Sequence, residues 1–131
     1  MSMPAPADFV FEKTSSRWIA STCDAAFDLV LPDENGKPLR SAITLLERAL
    51  ANLDVLLPKA QEYIQVFCSA SDPQLMRMPE IVEISVVRRG QSLTVFLSLF
   101  YEHDLYGRWS VGFVLAEPND WYTFSFMREQ T

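Results

Sequence analysis

From Ile81 to Arg128 the sequence alternates apolar and polar residues through four short segments, and this restricts the possible folds more than any other feature. The segments are IVEISVVRR, SLTVFLSLFYE, RWSVGFVLA and WYTFSFMR. They are rich in β-branched and aromatic residues, and a period of two assigns alternate side chains to opposite faces of a pleated strand. Only Gly90-Gln91, HDLYG and EPND lie between them. Connections that short carry no crossover, so the strands must run antiparallel as a meander.

Counting by twos sorts the meander into two faces. One holds Val82, Ile84 and Val86, then Leu93, Val95, Leu97 and Leu99, then Trp109, Val111, Phe113 and Leu115, then Tyr122, Phe124 and Phe126. This face is nearly all apolar and needs a cover. The other face mixes Glu83, Ser85, Thr94, Ser98, Ser110, Thr123 and Ser125 with Phe96, Phe100, Val114 and Trp121. Gly112 removes a side chain from its middle, leaving backbone open to approach.

The cover is legible upstream, where the period changes. Leu39, Ile43, Leu46, Leu50, Leu53 and Leu57 recur at alternating spacings of four and three, which places them on one side of a helix over 38–57. The run is under three heptads, too short for a coiled-coil seam, so the stripe reads as core. Pro58 predicts a kink or an end, followed by a second helix over 59–69 with Ala60, Ile64 and Phe67 on its apolar edge. Before the helices, short alternating runs predict strands at 9–13, 16–21 and 26–31, with TCDA turning the chain between the last two. PDENGKP then breaks the pattern, Asn35-Gly36 accepting positive φ readily. Residues 69–79, SASDPQLMRMP, read as a loop. The expected class is α+β: an antiparallel sheet of N-terminal strands plus a C-terminal four-stranded meander, with a kinked helix or helix pair on one face. Residues 1–7 read as a flexible arm and 8–131 as a single domain.

Composition excludes several function classes. With 49% apolar and 21% charged residues among 131, the chain is globular in character. Its longest apolar run falls well short of the roughly 20 residues needed to span a bilayer, so no membrane role is expected. The opening MSMPAPADF lacks the basic and apolar regions of a secretory leader, which makes cytoplasmic residence the expectation. The net charge of −6 is spread evenly along the chain, so there is no basic stripe for nucleic acid. A basic protein partner would be steered toward such a molecule. Cys23 and Cys68 have neither a C-x-x-C neighbour nor a His partner, so zinc and thioredoxin-like chemistry gain no support. The four glycines form no phosphate-cradling loop, so no cofactor is expected.

The single histidine, His103, stands between Glu102 and Asp104 where one strand ends. An acid–base site needs a histidine oriented by a carboxylate within a pocket. Here the acids are its neighbours on a turn, and no nucleophile motif accompanies them. The group reads as a solvated turn, eased by Gly107, and an enzyme built on His103 is the least favoured reading. The working surface is expected on the mixed face, with Phe96, Phe100, Trp121, Glu83, Glu102 and Asp104 as candidate partner-binding residues.

The order of elements adds one likeness. Trp18, the helix over 39–57, and Asp104-Leu105-Tyr106-Gly107 leading into WSVGFV resemble small bacterial domains of unknown function, similar to the immunity proteins of polymorphic-toxin systems. The resemblance runs from about residue 16 onward, on short motifs. It implies a partner-blocking role and carries over no catalytic residue. The expected function is therefore a non-enzymatic cytosolic protein-binding domain, with an immunity-type inhibitor of a toxin as its specific form. The alternative is a homodimeric accessory module paired through the mixed face or an edge strand.

Overall fold

The computed structural model describes residues 3–5, 8–21, 27–67, 79–101, 108–117 and 119–129, excluding the side chains of residue 67 and of 126–129. The TCDA turn, both cysteines, most of the 69–79 loop and the HDLYG connection lie outside the described residues.

The helical cover breaks earlier than Pro58. Helix α1 runs Arg40–Ala51 and α2 runs Leu53–Phe67, with Pro58 inside the second. Asn52 makes the break. Its side-chain Nδ2 donates to the Arg48 carbonyl at 2.7 Å, occupying the acceptor that its own backbone N–H would use to continue the helix. The backbone N–H bonds the Ala49 carbonyl instead, at 3.0 Å. The Asn52 carbonyl then accepts from Val55 and Leu56, both at 2.9 Å, and starts α2. Pro58 is tolerated because it and Asp54 are both exposed, so water can satisfy the Asp54 carbonyl that loses its N–H partner. The break resets the helical phase. Leu39, Ala42, Leu46, Ala49 and Leu50 are buried in and just before α1, but Leu53 and Leu57 only partly. Leu56, Ala60 and Ile64 take over as the buried edge of α2.

The strands are β1 (Val10–Glu12), β2 (Arg17–Ser21), β3 (Asp28–Glu34), β4 (Lys37–Pro38), β5 (Glu80–Arg89), β6 (Ser92–Phe100), β7 (Arg108–Ala116) and β8 (Asp120–Glu129). They form one sheet in the order β1-β2-β3-β5-β6-β7-β8, with β4 paired to β3. The C-terminal meander is as expected, and Gly90, at φ 61°, turns the β5–β6 hairpin. Asn35 and Gly36, at φ 52° and 85°, close a second two-residue hairpin, so β3 continues through Pro32 to Glu34. Pro32 offers no N–H, but its carbonyl accepts from Leu39 at 2.9 Å and ties the start of α1 to the strand. Strands β3 and β5 pair in parallel, the one parallel contact described in the sheet. The helices form part of that crossover and so come to lie across the sheet.

Two irregularities redistribute the faces. Between Ile81 and Glu83 the β5–β6 register shifts, so Ile81, opposite Leu99, packs on the core in place of Val82. Between Gly112 and Phe113 the β7–β8 register shifts by one, with Ser125 opposite Gly112 and Thr123 opposite Phe113. Phe124 is the extra residue, and everything before it in β8 changes sides. Trp121, opposite Leu115, goes to the core and is 4% exposed. Tyr122 and Phe124, expected in the core, go to the opposite face. The core proper is Leu29, Ile84, Leu97 and Val111 in one row and Val86, Val95 and Phe113 in the next, under Leu46, Leu56 and Ile64. At about 1.5–3 kcal/mol per fully buried large side chain, these contacts carry most of the gross driving force.

Candidate functional site

The sheet face opposite the helices begins as a row across the strands. Val30 stands beside Ser85, Ser85 opposite Phe96, and Phe96 opposite Gly112. Gly112 does not leave bare backbone here, as the alternation suggested. A Cβ at 112 would stand 2.6 Å from Phe124 Cε1 and 2.9 Å from Phe96 Cε1, so the two rings already occupy that space. Phe96 and Phe124 meet edge to face at 6.0 Å and 69°. The Arg89 guanidinium carbon lies 6.0 Å from the first ring centroid and 5.9 Å from the second. Glycine is what lets two rings settle under one cation.

Beside this cluster the sheet turns polar. Ser98 and Ser110 face each other across β6 and β7, both buried, with their hydroxyl oxygens 3.1 Å apart. They and Ser85 floor an open cleft of about 290 Å³, walled by Arg17, Arg89, Arg108 and Glu83. Among the described residues this cleft thus gathers Arg17, Arg89 and Arg108 around Glu83, with Glu12 3.8 Å from Arg17. A second cleft of about 500 Å³ lies between α1 and the β5–β6 hairpin. There Arg48 pairs with Glu117 at 3.0 Å and Arg88 with Glu34 at 3.8 Å, so its charges largely cancel.

The residues expected to bind a partner divide three ways. Phe96, Phe100 and Glu83 do share the face opposite the helices, although Phe96 is only 7% exposed and acts more as its floor than as its tip. Trp121 does not belong there: the extra residue at Phe124 turns its indole into the core. Glu102 and Asp104 lie outside the described residues, as does His103. Reading by residue type missed Arg89, Arg108 and Arg17. The first two were accessible from parity alone, since Arg89 continues the series Glu83, Ser85, Val87 and Arg108 precedes Ser110 by two. Tyr122, 58% exposed, and Phe124 could not be reached that way, because nothing local announces the bulge.

No protein-family model, curated protein or solved structure matches the chain.

Proposed function

We propose that this chain is a non-enzymatic binding protein that engages a protein partner through the sheet face opposite its helices. The observation that carries the proposal is the Arg89–Phe96–Phe124 cluster, bordered by the half-exposed Val114 and Phe100 and by the exposed Tyr122. Arginine and aromatic rings on a rigid pleated support are the composition of binding hot spots, because they offer large contact area with few rotamers to freeze. The serine hydroxyls there bond one another instead of a base, an arrangement suited to contact more than to nucleophilic attack. The partner surface that fits is one of apolar side chains next to a carboxylate, to complement the rings and Arg89.

The narrower form of the proposal, an immunity-type inhibitor that occludes a bacterial toxin, draws on the likeness in element order from Trp18 onward. It is tested by co-expressing the chain with the product of the adjacent gene. A stable complex, loss of that product's toxicity, and loss of both on Tyr122→Asp are expected. No complex, or binding indifferent to Tyr122→Asp, would refute it.

A homodimer is the second reading, favoured by the ten-residue β8, which pairs only with β7 among the described strands. Its bulge at Phe124 interrupts the free edge and opposes continuous strand pairing. Light scattering on a dilution series separates the two: a dimer that persists on dilution and splits with Tyr122→Asp supports self-association.

A further inference from the structure

We infer that the cleft between Arg17 and Arg89 is a binding site for an oxyanion, a carboxylate or a phosphate group, carried on a small molecule or on a partner's side chain. The inference does not need the partner proposed above. It rests on donors that the fold assembles and leaves unspent.

Arg17 reaches the cleft from β2 with its guanidinium only loosely engaged. Its sole ion-pair contact among the described residues is Nη2 to Glu12 Oε1 at 3.8 Å, too long for a hydrogen bond. Its Nε–H is shielded from water and has no acceptor. Leaving a charged donor in that state is costly, and folded proteins rarely do so without a use for it. Arg89 stands across the cleft with its guanidinium carbon 6.0 Å and 5.9 Å from the Phe96 and Phe124 ring centroids. Arg89 makes no ion pair among the described residues, and a ring contact uses none of its N–H groups as a carboxylate would. Glu83 lines the same cleft but makes no ion pair within 4.0 Å among the described residues, so it occupies no N–H of either arginine.

The floor adds hydroxyl donors. In the Ser98–Ser110 pair one hydroxyl hydrogen bridges the two oxygens, so the other has none of its own pair to serve. Ser85, also buried, adds a third hydroxyl with no partner among the described residues. Guanidinium forks above hydroxyl donors suit a planar carboxylate or a phosphate, where charge-assisted bonds are strongest. The volume of about 290 Å³ admits such a group with a few attached atoms, and Phe96 gives those atoms an apolar wall.

The test titrates the full chain at constant ionic strength with inorganic phosphate in one arm and succinate in the other, with chloride as the control. For a millimolar site, either anion at about 10 mM raises the thermal midpoint by about 3–6 °C. Calorimetry should give one saturable site, weakened about tenfold or more by Arg17→Ala. Arg17 is partly exposed on a short strand near the sheet edge, so this variant folds; a wild-type chloride midpoint confirms it. Amide shifts at Ser98, Ser110 and Gly112 should follow the titration, and Arg48→Ala, in the other cleft, should bind as the wild type. Phosphate alone binding assigns a phosphorylated ligand, and succinate alone a carboxylate. Saturation by neither anion, or equal affinity in Arg17→Ala, would overturn the inference whatever the outcome with a protein partner.

Discussion

Replacing Gly112 by alanine probes the arrangement on which the candidate site depends. In an unobstructed strand the change would stabilise by about 0.5–1 kcal/mol, because glycine loses more backbone freedom on folding. Here the new methyl would stand 2.6 Å and 2.9 Å from two Phe124 ring carbons and 2.9 Å from Phe96 Cε1. Carbon atoms rest at about 3.5–4.0 Å, so the rings must retreat by about 1 Å. Phe124 is partly exposed and can swing outward, whereas Phe96 is held in a buried row between Ser85 and Gly112. Overpacking of this kind costs about 1–3 kcal/mol, and losing the edge-to-face contact adds about 0.5–1.5 kcal/mol. After the backbone gain, a net loss of about 1–3 kcal/mol is expected, or about 3–12 °C in the thermal midpoint. Urea unfolding should show a lower midpoint with an unchanged slope. In a Phe124→Ala background the same substitution should cost less than half as much, since the nearer ring is gone. If Gly112→Ala stabilises the protein, or if the two effects add, the rings do not rest on Gly112 and the picture of the site is wrong.

Trp121→Ala should destabilise by about 3–5 kcal/mol in denaturant unfolding, the cost of emptying a buried aromatic site; a loss under 1 kcal/mol would return Trp121 to the surface. Pro58→Ala should raise stability by about 1–2 kcal/mol, because α2 gains an N–H toward the Asp54 carbonyl while the unfolded chain gains some freedom. Destabilisation there would mean that Pro58 shapes the helix instead of being tolerated by it. Asp33→Ala should cost about 1–2 kcal/mol, since the carboxylate accepts the part-buried Trp18 Nε1–H at 2.8 Å, and Trp18→Phe should cost much less in that background than alone. Phe96→Asp should destabilise the protein strongly, because a carboxylate replaces a ring that is 7% exposed and the edge-to-face contact with Phe124 is lost, a cost that the nearby Arg89 offsets only in part. A Phe96→Asp variant as stable as the wild type would show that the ring is dispensable to the sheet.

The strand meander and its leucine cover were readable because each depends on a local period: two along the strands, three and four along α1. The Asn35-Gly36 and Gly90-Gln91 turns were readable for the same reason, since their φ values follow from residue type. Reading failed where one residue altered the count. An extra residue at Phe124 reversed the sides of Trp121 and Tyr122, and a shift near Ile81 exchanged it with Val82. Neither bulge is marked by a glycine or a proline within it; Gly112, on the neighbouring strand, marks only where the displaced ring settles. Attention to Pro58 likewise hid Asn52, whose side chain ends α1 by taking the Arg48 carbonyl.

What the sequence determined by itself, then, is which segments pleat, which coil, and that an apolar sheet face must lie under an amphipathic helical cover. Those properties come from side-chain spacing and from backbone preferences that act within a few residues. Only the tertiary structure decided the parallel pairing of β3 with β5, the side on which Trp121 lies, and the meeting of Arg17, Arg89 and Ser98 around one cleft. Pairing register and bulge position minimise the energy of a whole packed layer, to which residues far apart in the chain contribute jointly. No window of neighbouring residues contains that sum.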